Sequence, residues 1–297
     1  MAFSNPAEYH ATPSHGASPM RALFFASIVV LSGSALAHSA DPLKEADAAF
    51  GKKDFAKAAE LAAAAVKADP KNTGAHYLLG MARIKLRDNA AAVDAFTAAL
   101  DLDPMLDAAR DSRGDAYLKL GKFTEAIADY DAYLKANAKF APEHWRRGIA
   151  LYYASKFEDG VAQFETHKTV NPEDVENAAW HYLCNAKVAG KEKSQKALIA
   201  VTQDTRVPMA EIQKLYAGKL KPEDVLAAAE KTKAGTPLGA SARFYANLYV
   251  GLWYEAEGDA KKTREHLTEA VEKYKIGDYM WDVGNAHLER LKAKDKK

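Results

Sequence analysis

The sequence has little of what several classes of protein require. With a single cysteine, Cys184, among 297 residues, the chain can form no internal disulfide and no thiolate metal cluster. Lysine plus arginine (41) nearly balances aspartate plus glutamate (40), so the formal net charge of +1 gives no general attraction to nucleic acid. These features exclude disulfide scaffolds, cysteine zinc sites and basic nucleic-acid-binding proteins.

Catalytic motifs are lacking as well. The sequence contains no His-Glu-x-x-His zinc motif, no Gly-x-Ser-x-Gly nucleophile motif and no phosphate loop of the Gly-x-x-x-x-Gly-Lys type. The nine histidines are scattered, and the acidic pair Glu173-Asp174 follows a proline, as first-turn helix residues do when they complement the helix dipole. We therefore predict a protein that is not an enzyme, with no catalytic residue, no metal site and no cofactor.

No apolar run is long enough to span a bilayer. Residues 22–31 are a run of about ten, whereas a spanning helix needs about 20. Arg21 precedes this run and Ala35-Leu36-Ala37 ends the small-residue stretch behind it, which is the pattern of a secretory signal peptide. We predict a signal region over residues 1–37, with a transmembrane anchor as the alternative.

The signal region raises two further expectations. Its first nineteen residues are long and polar for a signal peptide, so our hypothesis is that translation begins at Met20. Ser34 stands where a bacterial lipoprotein has its lipidated cysteine, so a lipid anchor is not expected. The mature chain should be exported to the periplasm or cell envelope of a bacterium, with membrane attachment only if the signal segment stays uncleaved.

Alanine is abundant, with 60 residues or about one in five. Because alanine is the best helix former and a poor strand former, this composition predicts an all-α fold.

A sequence pattern with a period of about 34 residues organises most of the chain. Asp69-Pro70 and Asp103-Pro104 are one such period apart, and a proline after aspartate ends a helix. Small residues recur at one position of the same frame, where two helices could cross closely: Ala46, Gly80, Gly114 and Gly148. Bulky residues recur at another position: Phe96, Tyr130 and Phe164. The pattern resembles the tetratricopeptide repeat, with copies at 39–72, 73–106, 107–140 and 141–174.

This resemblance implies an α-solenoid of helix-turn-helix repeats with a helical C-terminal extension. We divide the chain into four repeats (38–174), a partial fifth repeat with irregular helices (175–239), a repeat-like pair with a capping helix (240–291) and a basic tail (292–297). Within these, short helices are predicted over 210–217 and 222–232, and the capping helix over 279–291.

A second resemblance concerns the part after the fourth repeat. Residues 212–226 and the run Asn247-x-Tyr249-x-Gly251-x-x-Tyr254 resemble the NlpI-type bacterial envelope lipoproteins. That family implies a homodimeric adaptor that scaffolds cell-wall hydrolases or synthases and delivers substrates to an envelope protease. We accordingly expect protein or peptide partners and no nucleic acid. The alternative is an obligate structural subunit of an envelope assembly or secretion complex.

By resemblance to the repeat family, partners should bind the concave face lined by the first helix of each repeat. Aromatic side chains in the fourth repeat would anchor a partner, and Asp111 with Asp115 would face an apolar or partly basic peptide. The alternative is that some of these residues pack against the fifth repeat and close the groove. The predicted groove residues are Leu43, Asp47, Phe50, Tyr77, Met81, Ile84, Lys85, Asp111, Asp115, Leu118, Lys119, Trp145, Ile149, Tyr152 and Tyr153.

Overall fold

Four helix pairs form the first half of the molecule. A computed structural model describes residues 41–294, so the predicted signal region 1–37 and the last three residues lie outside the described residues. The described residues contain helices and no strand. The pairs are α1 (Pro42–Gly51) with α2 (Phe55–Ala68), α3 (Thr73–Lys85) with α4 (Asn89–Leu102), α5 (Asp107–Lys119) with α6 (Phe123–Ala136) and, after a 3-10 segment (Ala138–Glu143), α7 (Trp145–Tyr153) with α8 (Phe157–Lys168).

Short polar side chains start α1 to α4, and Asp-Pro pairs end α2 and α4. Asp54 and Asn72 accept hydrogen bonds from backbone N–H groups three residues on, at 3.1 and 3.0 Å, and so satisfy donors that have no partner within the helix. Asp69 lies in the extended region at φ −138° and ψ 93°, where a residue before proline is driven. The Asp-Pro pairs therefore stop the second helix of a repeat, as the sequence predicts.

Within the second, third and fourth pairs the helices approach so closely that only glycine fits at the crossing. A Cβ atom added to Gly80 would lie 2.6 Å from the ring of Phe96, and one added to Gly148 would lie 2.6 Å from the ring of Phe164. Gly114 faces Tyr130 in the same way. The predicted alternation of small and bulky residues is thus a set of ring-to-backbone contacts in a densely packed interior.

The second half is less regular. It contains α9 (Val175–Ala189), α10 (Lys191–Lys196), α11 (Met209–Tyr216), α12 (Pro222–Glu230), α13 (Pro237–Glu257) and α14 (Ala260–Thr268), which runs into a π turn (Glu269–Lys273). Gly190, at φ 84°, ends α9 where the repeat loses its register. Cys184 of α9 lies at a close approach to α8, since a Cβ on Gly160 would lie 2.6 Å from its sulfur. Burial raises the pKa of this thiol to about 12.

The last described helix, α15 (Tyr279–Lys294), begins where the sequence predicts a capping helix, and it does more than cover the end of the stack. It lies along the concave side against α5, and its opposite side packs on α14 and the π turn. A Cβ on Gly284 would touch Leu248 and Val271, both at 3.4 Å. The helix is therefore held between two layers. It also continues into the predicted basic tail, where Lys292 pairs with Glu289 at 3.0 Å.

Among the described residues, no helix has both the length and the hydropathy to cross a membrane.

Candidate functional site: the concave face

The concave face is lined by α1, α3, α5 and α7, and it falls into two parts. In the open part, on α1 and α3, the predicted groove residues are half-exposed or exposed. In the covered part, on α5 and α7, they are buried or half-buried beneath the C-terminal helices. The open part comprises Leu43, Asp47, Phe50, Tyr77, Met81, Ile84 and Lys85; the covered part comprises Asp111, Asp115, Leu118, Lys119, Trp145, Ile149, Tyr152 and Tyr153.

Tyr279, the first residue of α15, joins that helix to the covered part. Its hydroxyl donates a hydrogen bond to Asp115. Its ring meets the indole of Trp145 edge-on, with 5.0 Å between the ring centroids, and the Lys119 ammonium lies 4.7 Å from its ring centroid. One side chain therefore contacts two of the inner helices, α5 and α7.

Asp282, one turn further along α15, binds two cations. The Arg87 Nε atom lies 2.8 Å from one carboxylate oxygen, and the Lys119 Nζ atom lies 3.9 Å from the other. Arg87 also donates to the carbonyl of Ile276 at 3.3 Å, and its guanidinium stacks over the Trp281 ring at 4.6 Å. The end of α3 is thereby connected to a segment nearly 200 residues away in the sequence.

The two acids of the third repeat already have partners. Asp111 accepts hydrogen bonds from Arg146 at 2.8 Å and from His144 Nε2 at 2.9 Å. Although burial alone would raise the pKa of Asp111, Arg146 and His144 outweigh it and hold that pKa well below its usual range. Asp115 is likewise compensated by Lys119 at 2.9 Å. The predicted contact of these acids with a basic peptide would require those partners to move.

The aromatic cluster of the fourth repeat packs inside the molecule. The rings of Tyr152 and Tyr153 contact Trp180 of α9, with centroid distances of 5.5 and 5.8 Å. The Tyr152 hydroxyl donates to Glu255 at 2.7 Å, and the Tyr153 hydroxyl lies 3.1 Å from His287 Nδ1. For these two residues the alternative prediction, packing against the fifth repeat, describes the observed contacts.

The open part keeps a partly exposed apolar floor. The Phe50 ring packs against Phe55 and the Tyr77 ring against Phe96, with centroid distances of 5.2 and 5.8 Å, so each has one face fixed. The Met81 sulfur accepts a hydrogen bond from the Ser112 hydroxyl at 3.6 Å. Such a floor can bind an apolar side chain with little loss of conformational entropy.

Sequence reasoning missed the residues that cover the groove, among them Arg87, Tyr279 and Asp282. For Arg87 the backbone geometry, rather than the sequence, gives a signal. Arg87 stands at a turn position of the repeat frame where Lys53, Gly121 and Ser155 also occur, and all four have φ between 59° and 72°. Residues other than glycine are uncommon in that left-handed region, and this is a reason to ask what the side chain contacts.

Groups of three or more His, Cys, Asp or Glu side chains able to hold a metal are absent from the part of the chain that the structure describes.

Comparison with known proteins bears on this architecture. A tetratricopeptide-repeat family model matches residues 43–107 and 112–165. This part of the chain carries tetratricopeptide repeats. The matched residues span helices α1 to α8, so both parts of the concave face are formed by repeat helices.

Solved structures of other tetratricopeptide-repeat proteins have a similar fold. One from Parabacteroides merdae ATCC 43184 is 17% identical with a TM-score of 0.55, over 84% of this chain and 96% of that one. MamA from Desulfovibrio magneticus RS-1 is 18% identical with a TM-score of 0.48 (53% and 91% covered), and PilW, a type IV pilus biogenesis factor, is 16% identical with a TM-score of 0.45 (80% and 94% covered).

At 17% identity the likeness to the Parabacteroides protein shows the fold alone, and it confirms the predicted all-α solenoid. No curated protein matches the sequence. The findings do not confirm the resemblance to the NlpI-type lipoproteins, which stays a prediction.

Proposed function

We propose that this chain is a non-catalytic adaptor that binds a protein partner on the open part of the concave face. Tetratricopeptide repeats are a scaffold for protein–protein interaction, and their concave surface is the usual binding face. The observation that carries the proposal is the half-exposed floor of Phe50, Tyr77, Met81 and Ile84, on a face whose other part already holds a helix. Aromatic and methionine side chains are common anchors of protein interfaces.

The finer parts of the proposal concern place and partner. The signal pattern over residues 1–37, with Ser34 at the position of the lipidated cysteine, supports export to a bacterial envelope without a lipid anchor. The resemblance to the NlpI-type proteins favours cell-wall hydrolases, synthases or an envelope protease as partners, and a homodimer as the assembly.

A crosslinked pull-down from bacterial envelope extract tests the proposal. The bait is the chain without residues 1–37, compared with its Met81→Glu and Met105→Glu variants. Both substitutions replace a methionine with a glutamate. Met105 is the control because it lies outside the groove, in the turn after α4, and is 76% exposed. We expect partners to be lost with Met81→Glu and kept with Met105→Glu, since a charge on the apolar floor is costly to bury.

Circular dichroism and thermal melting would establish that both variants remain folded. Capture of the same proteins by wild type and by a folded Met81→Glu variant would contradict binding on the open part.

A further inference from the structure

The repeat symmetry of the molecule relates an occupied binding position to an open one. Asp282 of α15 is held by Arg87, in the turn after α3, and by Lys119, the last residue of α5. One repeat period before Arg87 lies Lys53, in the turn after α1. One period before Lys119 lies Lys85, the last residue of α3. The same pair of cations therefore occurs one repeat earlier.

The two turns have the same backbone geometry. Lys53 has φ 61° and Arg87 has φ 59°. The Lys53 N–H donates to the Phe50 carbonyl at 2.9 Å, and the Arg87 N–H donates to the Ile84 carbonyl at 2.9 Å. The turns match, and in both cases the first helix of the following repeat ends in lysine, Lys85 in α3 and Lys119 in α5. The backbone therefore places the earlier pair as it places the pair that holds Asp282.

The earlier pair differs from the later one in contacting no carboxylate among the residues that the structure describes. Lys119 and Asp282 are nearly buried, with 8% and 11% of their side chains exposed. Lys53 and Lys85 are both exposed, and neither makes an ion pair or side-chain hydrogen bond with residues 41–293. The carboxylate of Asp54, next to Lys53 in the chain, caps α2 by accepting a hydrogen bond from the Lys57 N–H at 3.1 Å. Asp54 therefore pairs with the start of α2 and not with the two lysines.

The neighbourhood of the open pair is apolar where that of the occupied pair is polar. Met81 stands one period before Asp115, the residue that accepts the hydroxyl of Tyr279. Phe50 lies three residues before Lys53, and Ile84 directly precedes Lys85. In α15 the Tyr279 hydroxyl contacts Asp115. A helix bound at the earlier pair would therefore have an apolar side chain at the corresponding position, in contact with Met81.

We propose that Lys53 and Lys85 form a carboxylate-binding pair for an amphipathic helix of the protein partner. The helix carries Asp or Glu toward the two lysines and an apolar residue three positions earlier toward Met81, as Tyr279 precedes Asp282 in α15. This inference rests on the proposed function and names the chemistry of the partner at that site. The partner helix lies beside α15 on one continuous concave face.

A peptide derived from α15 is the direct probe. It spans residues 276–291 with Tyr279→Leu, is blocked at both ends, carries a fluorophore and is added to the full chain while anisotropy is followed. The test variant is Lys53→Asp with Lys85→Glu, because aspartate tolerates a positive φ. The control variant is Lys122→Glu with Lys156→Glu, which changes the net charge equally at two exposed lysines in the turns of the third and fourth repeats.

We expect the wild type and the control variant to bind the peptide alike, and the test variant to bind it at least about tenfold more weakly, since a like charge now faces the acid. A peptide that also carries Asp282→Asn should lose a similar factor on the wild type. A peptide with Asp282→Lys should prefer the test variant.

Equal affinity of the test variant and the wild type, equal affinity for the Asp and Asn peptides, or no binding to the wild type at about 1 mM peptide would each overturn the inference. The envelope pull-down separates the two proposals. Partners lost with Met81→Glu but kept with the double lysine variant would retain the adaptor function and reject the carboxylate pair.

Discussion

Glu176, at the start of α9, makes the stability of the protein depend on pH. Arg206 Nη1 lies 2.6 Å from one carboxylate oxygen, and the Tyr249 hydroxyl donates to the other at 2.8 Å. Burial raises the pKa of Glu176 to about 7, because the loss of hydration and the carboxylates of Asp174 and Asp278 together outweigh Arg206. The side chain is 12% exposed, so solvent screens these interactions little.

The size and sign of the effect follow from the difference between the folded and unfolded states. Unfolded, the group has its ordinary pKa of 4.5, so folding raises it by about 2.5 units, equivalent to about 3 kcal/mol. A group whose pKa rises on folding contributes its full stability below the unfolded pKa. That contribution is lost as the pH rises through about 7, so the wild type should lose about 3 kcal/mol between about pH 5 and pH 8 from this group alone.

Urea unfolding of the wild type and Glu176→Gln across this range measures the effect, since the difference in unfolding free energy cancels the groups that both proteins share. We expect Glu176→Gln to be close to wild type near pH 5 and more stable by up to about 3 kcal/mol near pH 8. Glu173→Gln is the control. Glu173 accepts hydrogen bonds from the Thr202 and Gln203 N–H groups, and these lower its pKa. Its contribution to the unfolding free energy is therefore lost only at acidic pH. A free-energy difference between wild type and Glu176→Gln that does not change with pH would refute the reasoning.

Three further substitutions or reactions probe the packing. Gly148→Ala should destabilise the protein by about 1–3 kcal/mol in thermal melts because its methyl group meets an aromatic ring, whereas Gly51→Ala, with nothing within 4 Å, should not; equal melting temperatures would contradict this. Tyr279→Phe should cost about 1–3 kcal/mol in urea unfolding, since the buried Asp115 loses a donor, and a neutral result would show that the hydroxyl is dispensable. Cys184 should resist alkylation at about pH 8 until the chain is unfolded, because burial raises its pKa to about 12; modification of the folded protein would contradict its burial.

Local and periodic features could be predicted from the sequence. The contact between Gly80 and Phe96 lies within one repeat and recurs in the next two, so the recurrence itself shows which residue types must face each other. Helix ends at Asp-Pro pairs depend only on neighbouring residues. The positions on the concave face follow from the same frame, which is why Asp115 and Trp145 were both assigned to it.

The occupant of that face could not be predicted in the same way. The contact between Arg87 and Asp282 joins residues nearly 200 positions apart and occurs once, so no recurrence marks it. Tyr279 and Asp282 form a polar stripe on α15. When its partners are unknown, a polar stripe predicts a helix face that is exposed to solvent. Only the three-dimensional arrangement shows that Asp115 and Lys119 complement it.

The return of α15 to the repeats alters how this solenoid should unfold. In an open array each repeat touches only its neighbours, so the ends can melt separately and the transition broadens with length. Here the last helix links α5 to the C-terminal end of the chain and closes a ring of contacts over more than 150 residues. Contacts between residues so far apart in the sequence slow folding, and the closed ring makes the finished structure unfold in larger cooperative units. Because α15 follows the repeats in the chain, the repeats are synthesised before the helix that covers their inner face.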